Sequence, residues 1–296
     1  MYYLLALTTG CAAGKAVVCK KLGADDKASR SIFSWNSGIY LVASVIAFFS
    51  LYPNFGKILS ISPFTVLMAT AFSVFLLFTQ ITEVRAMALG SVSMTILIYS
   101  GGFLFPIAYG YFILQGDQKE TVSPLCGIGI IVMMVAMALI IRPRKESGTS
   151  WRWVLMAFLS LIGSGMVAIT QKHHQKADHA AYADEIACFV TLGLLLASLF
   201  SFVIARIERK KATLPPSFTK RDIAFVAISG LCIGMQNLLN LFLAGKLPSA
   251  VHFPVYNIGS MLLTALFGMI VLKEKHSIGQ KIGFLLGCCS ILLISY

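Results

Sequence analysis

Apolar runs of about 18 to 25 residues recur from one end of this chain to the other, each long enough to cross a hydrocarbon core of roughly 30 Å as a helix. Ten such runs are read at 3–20, 33–52, 64–84, 91–114, 122–141, 152–171, 184–205, 222–244, 250–272 and 279–295. A backbone in lipid finds no water to bond, so it must satisfy its own N–H and C=O groups, and an isolated apolar run does so as a helix. The expected fold is therefore an all-α membrane protein with ten transmembrane helices. The connections are short and leave no room for a separate soluble catalytic domain; the longest, about Arg206 to Arg221, contains Pro215 and Pro216. Only 12% of the residues are charged, against roughly 25% for a soluble domain, which excludes an ordinary water-facing surface.

The net charge of +12 would suggest nucleic acid on a soluble chain. Here the basic residues sit in short loops, on alternate sides of the apolar runs. Of the 24 Lys and Arg residues, eighteen fall on one side, among them Lys20, Lys21, Arg142, Arg144, Lys210 and Lys211. Five, namely Lys57, Lys119, Lys172, Lys176 and Lys246, fall on the other, and Lys15 lies inside the first run. The positive-inside rule assigns the basic side to the cytoplasm and both chain termini to the outside. The expected location is the cytoplasmic (inner) membrane, with multiple passes, and no nucleic-acid partner. No basic segment precedes the first run and no small-residue cleavage site follows it, so it reads as a retained span. The seven cysteines lie within or at the ends of apolar runs and form no C-x-x-C pair. Neither a metal site nor a disulfide framework is expected, and no cofactor.

The sequence also repeats. A shift of 157 places Gln80 on Asn237, Glu83 on Asn240, Thr95 on His252, Tyr99 on Tyr256, Gly102 on Gly259 and Asp117 on Glu274. A shift of 151 places Gly14 on Gly165 and Lys21 on Lys172. The halves are 1–146 and 147–296, with five runs in each. An odd number of spans makes the second copy enter the membrane from the opposite side. Two inverted five-helix repeats around a central cavity are the expected architecture, one recurrent among secondary transporters.

The segment Val271-Leu272-Lys273-Glu274-Lys275-His276-Ser277-Ile278-Gly279-Gln280-Lys281-Ile282-Gly283 resembles the junction of the last two helices in the drug/metabolite transporter superfamily, EamA type. An acidic residue there ends the penultimate helix, and Gln and Gly open the last. A weaker copy runs from Leu114-Gln115-Gly116-Asp117 to Gly127. The resemblance covers the whole chain and implies two inverted bundles that move small metabolites such as amino acids, coupled to a gradient and without ATP. The chain likewise has no G-x-x-x-x-G-K-[ST] motif. It departs from the family pattern where Thr9-Gly10 stands near the usual Trp-Gly pair, where Ser34-Trp35-Asn36 opens a span that often carries Arg, and in the outward placement of its termini.

Polar residues inside the spans fall on shared helix faces. The face of Thr79, Gln80 and Glu83 is matched by that of Gln236, Asn237 and Asn240; the face of Thr95, Tyr99 and Gly102 is matched by that of His252, Tyr256, Gly259 and Ser260. Such groups are costly in lipid and turn inward, as a cavity lining or as interhelical hydrogen bonds. The substrate-binding candidates are Asn36, Tyr40, Gln80, Glu83, Tyr99, Gln236, Asn237, Asn240, His252 and Tyr256. Asn36 and Tyr40 share a face near Trp35, which suits either a ligand contact or an interfacial anchor. Glu83 is a coupling candidate if buried, because burial favours the protonated carboxyl, and a surface charge if it sits beside Arg85. Lys15 either snorkels to the surface or meets an anionic group such as Glu83. His173, His174 and His179 read as a solvated outward loop. The expected function is secondary transport of a small uncharged or zwitterionic metabolite by alternating access. Its partners are the solute, the bilayer and a candidate coupling proton, and no oligomer is required. A membrane-embedded enzyme for a lipid or isoprenoid substrate is the alternative; no clustered Asp/His constellation supports it, and the chain is not expected to be an enzyme.

The charge asymmetry predicts that alkaline phosphatase fused after Tyr296 is active in a bacterial host and a fluorescent protein fused there stays dark. The reverse pair of signals would turn the topology over.

Overall fold

The computed structural model describes residues 2–23, 32–89, 98–116, 119–140, 151–176, 182–209, 219–271 and 278–295. Helices overlap every expected span. They are α1 (Tyr2–Gly23), α2 (Ile32–Phe49), α3 (Pro63–Leu89), α4 (Ile98–Ile113), α5 (Pro124–Ile140), α6 (Trp151–Lys176), α7 (Ile186–Arg209), α8 (Lys220–Lys246), α9 (Ser249–Val271) and α10 (Ile278–Ser295). Four are long and apolar enough to cross a membrane: Pro63–Glu83 in α3, Trp151–Lys176 in α6, Ile186–Glu208 in α7 and Asp222–Lys246 in α8. Shorter apolar stretches include Phe33–Phe49, Pro124–Ala136 and Lys281–Ile294. No strand occurs among the described residues.

The distribution of side chains is inverted relative to a water-soluble protein. Leu67 and Val74 on α3, Ile131 and Met134 on α5, Leu199 and Phe202 on α7, and Leu285 and Leu292 on α10 are exposed. Thr8, Asn36, Ser73, Thr79, Gln171 and Asn237 are buried. An apolar exterior on this scale requires an apolar solvent. Two large apolar clusters pack the interior, with a small third at Ala86, Trp153 and Ala157. One gathers Leu5, Phe103, Met133, Leu243, Phe253, Ile258 and Ile294; the other gathers Ile39, Phe72, Phe189, Leu194 and Leu241.

Helix pairings come in a regular set. α5 lies along α10 and α2 along α7. α3 packs on α6 and α7, while α8 packs on α1 and α2. α1 also packs on α9, and α6 on α4. The α2–α8 contact is close enough that Gly230 has no room for a side chain: a Cβ there would lie 2.5 Å from Val42 Cβ and 2.9 Å from the Ile39 carbonyl oxygen. α4 is irregular. It passes from a 3-10 turn at Gly101–Phe103 through Leu104–Ala108 to a π turn at Tyr109–Ile113. Pro106 has no N–H to give to the helical ladder, and π turns of this kind recur at functional sites.

The ends of the helices differ in charge. α1, α3, α5, α7 and α9 finish at the basic end; α2, α4, α6 and α8 finish at the other, sparse end. At the sparse end, α6 runs about a turn beyond its expected limit at 171, to Lys176. This corrects the reading of His173 and His174 as a solvated loop. His174 is fully buried, bonding Thr65 Oγ1 through Nε2 at 2.8 Å and the Gln175 amide through Nδ1 at 2.9 Å. His173 Nδ1 meets the Tyr109 hydroxyl at 2.6 Å. His179 lies outside the described residues. Glu185, in the turn before α7, holds the start of α3 by accepting from the Ser62 hydroxyl at 2.7 Å and the Ser62 N–H at 3.3 Å. Burial alone would raise its carboxyl, but the bonds from Thr65 and Ser62 and the nearby His174 outweigh that and hold it below the ordinary 4.5.

Replacing Gly230 with Leu overpacks the α2–α8 contact and is expected to cost about 1–3 kcal/mol, read as a lower melting temperature in detergent. Gly56→Ala, with nothing within 4 Å of its added carbon, is the unchanged control. For Glu185 the sign follows from a folded pKa held below 4.5. The stabilisation is present above pH 4.5 and fades as the pH falls through the lower folded value. The melting temperature of wild type should therefore exceed that of Glu185→Gln at neutral pH, and the two should converge in acid. A gap that is constant with pH would contradict the assignment.

Candidate functional site

The polar faces expected from the sequence converge on one region between α2, α3, α4, α8 and α9. α2 carries Asn36 and Tyr40 one turn apart, and both are buried. The Tyr40 hydroxyl donates to Gln80 Oε1 on α3, and Gln80 Nε2 donates to Asn36 Oδ1 at 3.3 Å. On the other side, Gln236 Nε2 of α8 donates to the Tyr256 hydroxyl of α9, which Asn240 also bonds. Two tyrosine–glutamine pairs thus sit on two pairs of helices. Tyr99, at the start of α4, lies between them, within electrostatic range of Glu83, Tyr40 and Tyr256. His252 stands one turn from Tyr256, their rings 6.4 Å apart and inclined by 29°.

The hydrogen bonding inside this region is incomplete. Asn36 Nδ2, Gln236 Oε1, Asn240 Oδ1 and both ring nitrogens of His252 are buried and have no partner among the described residues. A buried polar atom left unpaired costs about 1–3 kcal/mol. Several of them occur together between these helices. The set holds donors and acceptors with no net charge beyond Glu83, and it is flanked by the aromatic rings of Tyr40, Tyr99 and Tyr256. It is equipped to hydrogen-bond and stack against a small polar molecule. Among the described residues, no three His, Cys, Asp or Glu side chains gather in a way that would hold a metal ion.

Not every candidate joins this region through the same contacts. Asn237 turns towards α6, accepting at Oδ1 from Gln171 Nε2 at 3.2 Å and returning Nδ2 to the Ile233 carbonyl at 3.0 Å. Glu83 is half-buried on the last part of α3 and makes an interaction, with Arg85 exposed two residues on. The side chain of Lys15, and Thr95, Asp117 and Glu274, lie outside the described residues.

Three features escaped the sequence reading. Gln171 was placed at the limit of its span, so its bond to Asn237 was not foreseen. Thr9 of α1 packs on α9, and a Cβ at Gly259 would meet its Cγ2 at 2.7 Å. Lys172, counted among the loop charges, is fully buried and paired with Glu120. The repeat match of Lys21 with Lys172 was the one signal that position 172 carries more than surface charge.

With this geometry in hand, comparison with known proteins is informative. A family model described as the EamA-like transporter family matches residues 151–296. A solved structure, titled only "Crystal structure of protein", superposes with a TM-score of 0.79 over 98% of this chain and 94% of that one, at 10% sequence identity. At that identity the likeness shows the fold alone. Among curated proteins, none matches the sequence. The family match, on a chain of apolar helices with a lipid-suited exterior, makes this an integral membrane protein and a transporter. Residues 151–296 of this chain match the EamA-like transporter family, of the drug/metabolite transporter superfamily.

Proposed function

We propose that this chain is a secondary transporter. It carries a small uncharged or zwitterionic organic solute, of the amino-acid kind, across the cytoplasmic membrane by alternating access. The observation that carries this reading is the incomplete polar cluster of Asn36, Gln236, Asn240 and His252 between the Tyr40–Gln80 and Gln236–Tyr256 pairs. A protein whose polar groups served only as interhelical glue would have satisfied them. In this reading the ten helices all span the bilayer and form two inverted five-helix repeats, 1–146 and 147–296.

The helix pairings support that architecture. Exchanging each helix of the first five for its counterpart in the second turns α3 on α6 into α8 on α1, α3 on α7 into α8 on α2, and α1 on α9 into α6 on α4. The pairs α2–α7 and α5–α10 map onto themselves. A two-fold axis in the membrane plane would generate these pairings, and inverted-repeat transporters hold their substrates near such an axis. The solute site comprises Asn36, Tyr40, Gln80, Tyr99, Gln236, Asn240, His252 and Tyr256, with Asn237 braced behind it by Gln171. Glu83, in electrostatic range of Tyr99, is the proton-coupling group, and Lys15 is the other coupling candidate. The scarcity of fixed charge disfavours a polyanionic cargo. This reading requires neither an oligomer nor catalysis.

The test is flux. Purified protein in proteoliposomes is first screened by thermal shift against amino acids and related neutral metabolites, since a ligand of the native state raises its melting temperature. Uptake of the stabilising solute is then followed. Tyr256→Phe and Gln80→Ala are expected to lower uptake about tenfold, equivalent to about 1.4 kcal/mol of lost binding. Glu83→Gln is expected to abolish uptake driven by a pH gradient and to leave solute exchange intact. Flux no greater than that of empty liposomes across the panel would end the transporter reading of this site. Unchanged pH-driven uptake in Glu83→Gln would remove the coupling role alone.

A further inference from the structure

The sparse end of the molecule is closed by a contact that the polar cluster does not use. Lys172, at the end of α6, is 0% exposed and forms an ion pair with Glu120 of the α4–α5 connection, which is 10% exposed. Lys172 Nζ also donates to the Leu247 carbonyl at 2.8 Å, in the turn between α8 and α9. The second oxygen of Glu120 accepts the backbone N–H of Ser249, the first residue of α9, at 2.7 Å. The backbone of Glu120 donates to the Gly110 carbonyl in the π turn of α4 at 3.0 Å. Gly110 makes room for the carboxylate: a Cβ at that position would be 2.9 Å from the Glu120 carboxyl carbon. One ion pair therefore ties the α4 segment to α6, α8 and α9.

We propose that Glu120–Lys172 is the latch that shuts the solute pathway at the outward end, in a state closed to the outside. The inference rests on the transporter reading above. Two observations distinguish a latch from a structural brace. First, the pair spans the boundary between 1–146 and 147–296, the two bodies that must separate on this side for the site to open. Second, buried polar groups without partners lie beneath it, beside the apolar side chains of Ala250 and Phe253. Ser249 Oγ and both ring nitrogens of His252 lie on the first turn of α9, fully buried and without hydrogen-bond partners among the described residues. From His252 the next turn leads to Tyr256 and the cluster between the helices. Unsatisfied polar atoms thus lie on α9 between the latch and the site.

The energetics suit a contact that is made and broken. A buried ion pair gains Coulomb energy but loses the hydration of both charges, so it contributes little net stability. When the end opens, Glu120 and Lys172 regain water together, and the cost of separation is offset. Removing only one partner is different, because it leaves a single buried charge with no counter-ion. A one-sided substitution therefore drives the end open, where water solvates the remaining charge.

The test needs no solute. In a background with all seven cysteines replaced, Ser249→Cys places a thiol beneath the latch, and Ser60→Cys places an exposed reference thiol at the same end. Labelling by a membrane-impermeant maleimide applied from outside is timed in each. With Glu120 and Lys172 intact, the thiol at 249 should react at least tenfold more slowly than that at 60. Glu120→Gln should bring the two rates together, and the exchanged pair E120K/K172E should restore the slow rate. Equal rates in the parent, or a rate at 249 that stays slow in Glu120→Gln, overturns the latch. So does loss of a helical, monodisperse protein in both Glu120→Gln and the charge-retaining Glu120→Asp, since the pair is then a brace. Each of these failures leaves the flux assay, and with it the transporter reading, standing.

Discussion

Every level of this structure depends on the backbone satisfying its own hydrogen bonds where water is absent. The helices are the answer to that constraint, and their side chains follow from it. Lipid rewards Leu, Ile, Phe and Val on the outside, as at Ile131, Leu199 and Leu285. With the exterior apolar, the usual hydrophobic drive between helices is weak, and packing relies on small residues and close approach. Gly230 against α2 and Gly259 against Thr9 are instances of this. Polar side chains excluded from lipid have only the interior left, so the molecule concentrates its chemistry between the helices.

That interior is divided between satisfied and unsatisfied polar groups. At the sparse end, Thr65, His174, Gln175, Glu185 and Ser62 form a closed set of hydrogen bonds that fixes the start of α3 against α6. Deeper in, the Tyr40–Gln80 and Gln236–Tyr256 pairs fix four helices, while Asn36, Asn240 and His252 retain atoms with no partner among the described residues. The first arrangement suits rigidity. The second suits a guest, because the unpaired groups recover their hydrogen bonds only when a polar molecule enters. Along α3 the two arrangements are about four turns of helix apart, from Thr65 to Gln80, which allows a rigid end to frame a receptive centre. Lys172 sits between them on α6, one residue after Gln171 of the inner network and two before His174 of the outer one.

Much of the candidate site was legible in the sequence. Of the residues matched by the repeat, Gln80 bonds Tyr40, Tyr256 bonds Gln236 and Tyr99 lies within electrostatic range of Tyr40 and Tyr256, while Asn237 turns to α6. Tyr40 reached Gln80 as its position near the middle of α2 allowed. Three things were not legible. The partner of Asn237 is Gln171 rather than a residue of its own cluster, because amides choose partners by distance and angle, which sequence spacing within one helix does not fix. His173 and His174 were misplaced because hydropathy ends a span where polar residues begin, whereas a helix continues as long as its polar residues find partners. Glu120 carried no signal, since a single acidic residue in a loop is ordinarily solvated.

The sequence by itself determined the helical, membrane-embedded class, the positions of the helices and the resemblance to the transporter family. Each of these follows from local patterns: the length of an apolar run, the scarcity of charge within it, and the residues at the junction of the last two runs. Only the tertiary structure decided which polar groups meet, which are left open, and that Lys172 is a buried partner of Glu120 rather than a surface charge. The reason is physical. Hydropathy is a property of each segment alone, but the cost of a buried charge or amide is set by what lies within about 3 Å of it, and that neighbour comes from a distant part of the chain.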